Sequence, residues 1–313
     1  MRNRVTRSTL ADANERRNCE LFESSGQRLI AIATALRKDQ DIGLGLKEPL
    51  YAMDSTTIDL CLKLFPWADF RSTKAAVKAH TVIDLRGAIP VMITITTGKV
   101  HDVKALDTLR LPAGSIVVLD RGYVDFARLY ALVQRQCSFV VRGKDNLSYK
   151  TIESYAFDCS TGVRCDQTIQ LFTKKSEKAY PEPLRRVAIF DEKTQLDLVF
   201  LSNRMDLPAL TIAAIYKQRW QIELFFKWLK QNLTIKHFFG NSLKAVKSRI
   251  WIAVCVYLIA LVAHKEVGMD ISLRNFLHHV EVNMFEKITL QQMASNALQG
   301  KDLSELQAQQ EVF

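Results

Sequence analysis

Four side chains that can bind phosphate or metal recur at helical spacing near residue 220. Tyr216, Arg219, Glu223 and Lys230 lie within YKQRWQIELFFKWLKQNL, residues 216–233. On a helix with about 100° per residue they fall within about 60° of arc, so we expect one polar stripe. Apolar residues border the stripe on both sides, which predicts a helix deep in the structure. A glutamate there needs a cationic partner or a metal ion, because an unpaired buried carboxylate is strongly unfavourable.

The residues of this helix leave two interpretations of Glu223 open. Arg219 stands four positions before Glu223, which is the spacing of a common helical ion pair. The other interpretation is a metal site that Glu223 shares with carboxylates from elsewhere in the chain. The choice between the two depends on whether other acids can reach the same place.

Two further carboxylates lie where a sheet could bring them to such a site. Asp54 is inside LYAMDST (50–56), a segment with strand character in which aspartate is disfavoured. Asp120 ends the run SIVVLD, and strand ends often carry reactive groups in α/β sheets. An ordinary cap or turn would explain either acid alone. Together with Glu223 they could hold two Mg²⁺ ions about 4 Å apart for displacement at phosphorus, and no Cys/His cluster offers a zinc alternative.

The elements that must position these residues predict a mixed α/β sheet with an inserted β segment. Extended segments are expected at 50–56, 74–85, 88–97, 114–120 and 138–143, with Arg86-Gly87 as a hairpin turn. Helices are expected at 12–38, 123–136, 208–232, 242–264 and 289–310. Residues 144–206 are typical of a small antiparallel insertion, with strands near 167–173, 185–190 and 195–202 and polar turns such as KKSEKAYPEP between them.

Composition points to a polyanionic partner. The 313 residues include 43 Lys and Arg against 33 Asp and Glu, which gives a formal charge of +10. Such an excess favours nucleic acid or an anionic membrane, although basic surfaces also serve solubility. The longest apolar run, 250–263, is too short to span a bilayer and predicts a buried core helix. The amino terminus lacks a secretory signal and the six cysteines form no CxxC pair, so we expect reduced thiols and a cytoplasmic protein.

The polar stripe resembles the Y-R-E-K signature of bacterial insertion-sequence transposases that have a DDE active site. Tyr216, two residues, Arg219, three residues, Glu223, six residues and Lys230 reproduce its spacing. The sequences MDST and LDRGY around Asp54 and Asp120 are similar to the other two acidic boxes of that family. A β-rich insertion before the glutamate also matches, since Glu223 follows Asp120 by 103 positions. The resemblance covers about residues 48–264.

The resemblance implies a ribonuclease-H-like fold, an α/β sheet flanked by helices, and metal-dependent phosphoryl transfer on DNA. It implies that Asp54, Asp120 and Glu223 ligate Mg²⁺ or Mn²⁺ in a two-metal site. It also implies that Tyr216, Arg219 and Lys230 contact phosphates near the cleaved end, which suits a hydroxyl donor, a bidentate guanidinium and a point charge. The partner would be double-stranded DNA, both element terminal repeats and target, bound by a homodimer.

This family assignment predicts five regions along the chain. They are an N-terminal helical segment (1–47), the first part of the catalytic core (48–143), a β-rich insertion (144–206), the second part of the core with the Y-R-E-K helix (207–265) and a C-terminal helical segment (266–313). Only 53 residues precede Asp54, fewer than is usual in such transposases, so the first region is expected to be a remnant of a DNA-binding part.

Secondary candidates each keep a plain structural alternative. The pair His101 and Asp102 resembles a recurrent His-Asp pair near such active sites, or is a turn histidine beside a cap. Other candidates with two interpretations are His80 (structural or functional), Arg121 (DNA contact or ion pair with Asp125), Trp220 and Trp228 (base stacking or core packing) and KAVKSR at 244–249 (DNA backbone contact or solvated face).

Three functions are compatible with these residues. The leading one is a DNA transposase that cleaves element ends and transfers them to target DNA by in-line phosphoryl transfer. The second is a truncated DNA-binding or dimerising regulator of a full-length transposase. The third is a general ribonuclease-H-like nuclease, for which Lys230 would be dispensable.

Overall fold

A computed structural model of the chain describes residues 6–71, 74–232, 240–268, 273–283, 286 and 289–292. One sheet runs through most of this length. Its strands are β1 (Leu50–Leu60), β2 (Asp69–Arg71), β3 (Lys74–Asp84), β4 (Ile89–Thr97), β5 (Ile116–Leu119), β6 (Ser138–Arg142), β7 (Tyr149–Ser154), β8 (Val163–Leu171), β9 (Leu184–Asp191) and β10 (Leu196–Ser202). The helices are α1 (Arg7–Arg16), α2 (Glu20–Leu36), α3 (Phe126–Gln134), α4 (Lys174–Ala179), α5 (Ala209–Lys217), α6 (Trp220–Asn232), α7 (Leu243–Val267) and α8 (Leu273–Val282).

Five strands form the ribonuclease-H-like centre that the sequence predicts. β3 is antiparallel to both β1 and β4, whereas β5 is parallel to β1 and to β6. Their order across the sheet is β4-β3-β1-β5-β6. The predicted hairpin is confirmed, since Asp84 at the end of β3 pairs with Ile89 at the start of β4. The α/β prediction is therefore confirmed. Asp54 lies on β1, and Asp120 directly follows the neighbouring strand β5.

The inserted β segment continues the same sheet. β7 to β10 pair antiparallel with their neighbours, as expected, and β10 also pairs with β6. The polar stretch after β8, predicted as a turn, instead forms the short helix α4. Thr173 explains this difference, because its hydroxyl accepts the Ser176 N–H at the helix start.

Two apolar layers cover the opposite faces of the central sheet. Alternate residues of β1 and β5 divide between them, since successive strand side chains point to opposite faces. Leu50, Ala52, Ile116 and Val118 pack with residues of α2, α5, α6 and α7. Tyr51, Met53, Val117 and Leu119 pack on the other face with residues of α3 and the segment before β5. A side chain two positions after Ala52 or Val118 therefore points toward α5, α6 and α7.

Two predicted long helices are each divided in the structure. The helix predicted at 12–38 ends at Arg16, and a second begins at Glu20 where the Asn18 side chain accepts the Glu20 N–H. The helix predicted at 208–232 is interrupted at Gln218 and Arg219, where backbone N–H groups bond three residues back. The region predicted as helical at 289–310 lies outside the described residues beyond 292.

α7 is longer than the apolar run that predicted it. Its 25 residues are long and apolar enough to cross a membrane, yet 61% of its most apolar window is buried within the protein. Trp251, Val254 and Leu258 on α7 are buried in the same layer as α5 and α6. The prediction of a core helix is therefore confirmed, over a greater length than 250–263. The six cysteines, all among the described residues, are free thiols.

Candidate active site

Strand register brings Asp54 and Asp120 side by side. β1 and β5 are parallel, and Met53 pairs with Leu119, so each acid follows one member of the last pair. Neighbouring strands lie about 4.8 Å apart. The alternation that sends Ala52 and Val118 toward the helices sends both carboxylates the same way. Two acids that are 66 positions apart in sequence thus meet on one face of the sheet.

The helix pair α5–α6 carries the other predicted residues to these acids. The Tyr216 hydroxyl donates to Asp120 Oδ1 over 3.3 Å. Burial raises the pKa of Tyr216, so the hydroxyl keeps the proton that it donates. Arg219 donates through Nη1 to Asp54 Oδ2 over 3.1 Å and through Nη2 to Glu223 Oε1. One guanidinium therefore joins the strand acid to the helix acid.

Arg219 and Glu223 form the ion pair that was one of the two interpretations of this helix. The expected deep burial of the helix is confirmed for one side only. Ile222, Phe225, Phe226 and Leu229 are buried as expected. Trp220 and Leu224 are instead 59% and 49% exposed. α6 therefore packs on one side only, and the core-packing interpretation of Trp220 is wrong. Trp228 does pack, with its ring centroid 4.8 Å from that of Tyr257.

Ionisation of Asp54 is unfavourable in the folded protein. Burial, together with the charges of Asp120 and Glu223, raises the pKa of Asp54 to about 6, although Arg219 and the Ser55 N–H oppose the change. The Ser55 N–H donates to Asp54 Oδ1 over 2.7 Å. Additional positive charge near Asp54 would relieve this repulsion.

We expect the stability of the metal-free protein to fall as pH rises from about 4 to about 6. A pKa of about 6 in place of 3.8 means that the folded state holds the Asp54 proton more tightly than the unfolded state. Ionisation therefore destabilises the fold, by roughly 3 kcal/mol once both states are ionised. Urea unfolding in EDTA, compared between wild type and Asp54→Asn, measures this. Parallel stability curves for the two proteins across this pH range would contradict the expectation.

A cavity opens beside the two acids that Arg219 joins. It has a volume of about 430 Å³ and is lined by Asp54, Ser55, Thr56, Glu223, Phe226, Lys227, Lys230 and Gln231. Lys230 is exposed on α6 at its rim. The structure thus places Asp54, Glu223 and Lys230 around one opening. Asp120 lies beside Asp54 at the end of the neighbouring strand and is hydrogen-bonded to Tyr216.

The donor chemistry of this site fits a divalent cation, although the ligands are not assembled as a cluster. Among the described residues, no three His, Cys, Asp or Glu side chains lie close enough together to form a ready-made metal site. Arg219 provides the positive charge between Asp54 and Glu223. Carboxylate oxygens are nevertheless the ligands that Mg²⁺ and Mn²⁺ prefer. The pKa of Asp54 is raised chiefly by burial and further by Asp120 and Glu223, so a bound cation would favour its ionised form.

Comparison with known proteins decides the family. The profile described as Transposase DDE domain matches residues 45–259, which is more than half of the chain and includes all three acids. This chain belongs to the DDE transposase family. It is a phosphoryl-transfer enzyme that acts on DNA, and enzymes of this family generally use divalent metals.

Individual relatives agree with this family. The protein named as transposase y4zB of Sinorhizobium fredii is 31% identical over 89% of this chain and 77% of its own length. The transposase assigned to insertion sequence element IS5377 of Geobacillus stearothermophilus is 32% identical over 74% of this chain and 62% of its own length. The one assigned to element IS4SA of Synechocystis is 27% identical, over 90% and 79% respectively. The predicted class, insertion-sequence transposase, is thereby confirmed.

The secondary candidates of this transposase have partners that the sequence did not indicate. Asp102 lies 3.1 Å from Lys78 Nζ and 3.8 Å from His80 Nδ1, whereas His101 is exposed. The histidine ring beside Asp102 is therefore that of His80 and not that of the adjacent His101. His80 is fully buried and shares a hydrogen bond with Thr96 through Nε2, as expected of a structural histidine.

Arg121 forms a different ion pair from the one predicted. It lies 3.5 Å from Asp145, whereas Asp125 caps α3 and pairs with Arg128. Arg121 is exposed beside Asp120 and lines a second cavity with Lys144, so a role toward DNA remains a prediction. In the tract 244–249, Lys244 is exposed and Ser248 is buried, so only part of it forms a solvated face.

Sequence reasoning missed two supports of the site. Phe200 of β10 stacks against Tyr216, with ring centroids 4.7 Å apart. Ser55 links Asp54 to Asp102, because its backbone N–H donates to the first and its hydroxyl to the second. The hydroxyl next to the acid in MDST was the only sequence signal for this link, and nothing in the local pattern indicated Phe200.

Proposed function

We propose that this transposase cleaves DNA at the ends of an insertion sequence and joins the freed 3′ ends to target DNA. The observation that carries the proposal is the bridge that Arg219 forms between Asp54 on β1 and Glu223 on α6. Asp120 follows the neighbouring strand β5 and accepts a hydrogen bond from Tyr216. Carboxylates from separate elements, neutralised by a phosphate-binding side chain, suit in-line displacement at a phosphodiester.

Asp54, Asp120 and Glu223 are the proposed ligands of Mg²⁺ or Mn²⁺. A two-metal site would supply charge stabilisation to the attacking and leaving oxygens. The protein supplies placement: β1 and β5 fix the two aspartates, and α6 presents Glu223 from above the sheet. Glu223 and Asp54 already face one cavity, which is where the scissile phosphate would enter.

Arg219, Tyr216 and Lys230 are the proposed phosphate contacts. The Nε of Arg219 is buried and has no hydrogen-bond partner among the described residues. This guanidinium therefore has one N–H donor that no protein group uses among the residues that the structure describes. The Tyr216 hydroxyl and the exposed Lys230 stand on either side of it along α5 and α6. Arg121 would extend the same contact surface past Asp120.

The remaining proposals concern assembly. Because an element has two ends, we propose that the chain acts as a homodimer on double-stranded DNA in the bacterial cytoplasm. We also propose that the chain is divided into the five regions predicted from its sequence, which are 1–47, 48–143, 144–206, 207–265 and 266–313. The competing proposal is a regulator that binds element ends without cleaving them.

The test is metal-dependent cleavage of a duplex that carries the terminal repeat of the source element. We expect Mg²⁺ or Mn²⁺ to support cleavage at the repeat boundary, and a duplex with a scrambled repeat to remain intact. Binding to the repeat without cleavage would favour the regulator. Equal cleavage of both duplexes would favour a general nuclease.

Lys230→Ala is expected to weaken binding and cleavage of the element end, because a phosphate contact is lost. The dependence of log K on log salt should become shallower by about one. Filter binding at several salt concentrations measures this slope. The matched control is Lys38→Ala, an exposed lysine whose neighbour Arg37 contacts the β3–β4 turn at the opposite end of β1. Equal slopes for wild type and Lys230→Ala would exclude this contact.

A further inference from the structure

We propose that Asp102 is a positioning residue that holds Asp54 through Ser55. The inference rests on the proposed function, in which Asp54 is a metal ligand. It concerns the face of the sheet that lies away from α5 and α6.

Ser55 connects the two faces of the sheet. Adjacent residues of β1 point in opposite directions, so Asp54 faces the cavity and the Ser55 hydroxyl faces away from it. That hydroxyl donates to Asp102 Oδ1 over 2.6 Å. The Ser55 backbone N–H donates to Asp54 Oδ1 over 2.7 Å. Fixing the Ser55 side chain therefore also fixes the backbone donor that orients the Asp54 carboxylate.

Asp102 is itself held by strand β3. Lys78 Nζ lies 3.1 Å from Asp102 Oδ1 and also donates to the Val100 carbonyl. His80, directly across from Ser55 in the β1–β3 pairing, lies 3.8 Å from the same oxygen. Burial opposes ionisation of Asp102, but Ser55 and Lys78 together keep its pKa below the ordinary value. The acceptor is therefore a charged one, and hydrogen bonds to charged groups are the stronger kind.

Asp102 acts on Asp54 indirectly, through the two hydrogen bonds of Ser55. Tyr123 is buried on the same face of the sheet as the Ser55 side chain, so this cluster is partly closed off from solvent on that side. An indirect partner of this kind sets the orientation of a ligand, and losing one typically lowers metal affinity or activity by about 10- to 100-fold.

The test compares Asp102→Ala, Asp102→Asn, Ser55→Ala and the Ser55→Ala/Asp102→Ala double variant. Mn²⁺ affinity is measured by electron paramagnetic resonance. The cleavage rate is measured at saturating Mn²⁺, and folding is checked by thermal melting. We expect each alanine variant to lose about 10- to 100-fold in affinity or rate. The double variant should lose no more affinity or rate than either single variant, because both substitutions remove the same hydrogen bond between Ser55 and Asp102. Asp102→Asn keeps an acceptor for Ser55 and should recover part of the loss.

Asp69→Ala is the matched control. Asp69 lies on the edge strand β2 and pairs with Lys99, which follows β4 and stands three positions before Asp102. No hydrogen bond or ion pair joins Asp69 to Ser55 among the described residues. Its affinity and rate should equal those of wild type. A Ser55→Ala variant with unchanged affinity and rate, or additive losses in the double variant, would overturn the proposal. If the wild-type protein cleaves and all variants have its affinity and rate, the positioning role alone is overturned. If the wild-type protein neither binds Mn²⁺ nor cleaves, the proposed function is overturned as well.

Discussion

Glu223→Ala is expected to lower cleavage at the element end by on the order of 10³-fold while leaving the fold intact. A metal-bound carboxylate supports several kcal/mol of transition-state stabilisation, and each 1.4 kcal/mol or so is worth a factor of ten in rate. The fold should survive because Arg219 keeps its bond to Asp54 and because Ile222, Phe225, Phe226 and Leu229 still bury the inner side of α6. Single-turnover cleavage of a labelled repeat duplex measures the rate.

Two further variants distinguish the role of the Glu223 charge from a general loss of acidic residues. Glu223→Gln preserves shape and an acceptor for Arg219 but removes the charge, so it should be nearly as inactive as alanine. Glu266→Gln removes an exposed carboxylate near the end of α7 and should cleave at the wild-type rate. A Glu223→Gln protein with substantial activity would show that Glu223 serves only as a hydrogen-bond acceptor for Arg219, and the metal assignment would fail.

Arg185→Ala is expected to destabilise the protein by about 3–5 kcal/mol, because it leaves Asp166 buried without its partner. Arg185 and Asp166 are each only 7% exposed and share two hydrogen bonds, of 2.9 and 2.8 Å. The same guanidinium donates to the carbonyls of Met205 and Leu207, just before α5. The loss should therefore also loosen the start of α5, which carries Tyr216. Thermal melting and hydrogen exchange of α5 measure both effects.

The comparison pair lies in the same antiparallel part of the sheet, with Arg164 on β8 and Asp197 on β10. Arg164 and Asp197 are 3.9 Å apart and about half exposed, so Arg164→Ala should change stability by less than about 1 kcal/mol. Replacing both buried partners, Arg185→Met with Asp166→Leu, should recover much of the loss, because no unpaired charge remains. If Arg185→Ala and Arg164→Ala were equally mild, the buried pair would have no special part in supporting α5.

The local pattern of the sequence determined most of the elements and the chemistry. Extended, β-branched composition predicted β1, β3, β4, β5 and β6, and Arg86-Gly87 predicted the hairpin of β3 and β4, because these signals act over a few residues. The spacing of Arg219 and Glu223 indicated an ion pair that the structure contains. The three acids and the family they resemble were also readable from short motifs, and the family is confirmed.

Interruptions of helices were not readable, because local capping decides them. Asn18 and Thr173 accept backbone N–H groups and so begin helices where periodicity predicted a continuous helix or a turn. The break at Gln218 and Arg219 tightens the backbone without any proline or glycine to mark it. The exposure of Trp220 followed from the packing of α6, which depends on where α7 and the sheet lie.

Partners across the fold were decided by tertiary structure alone. Asp102 meets Lys78, His80 and Ser55 because β1 and β3 pair in one register, which no window of sequence contains. Asp120 meets Tyr216 across 96 positions because α5 packs on the sheet beside β5. The sequence by itself specified which groups could do chemistry on a phosphodiester. Only the pairing of strands and the packing of α5 and α6 on the sheet decided which of those groups touch, because contacts between distant segments depend on the geometry of the whole fold.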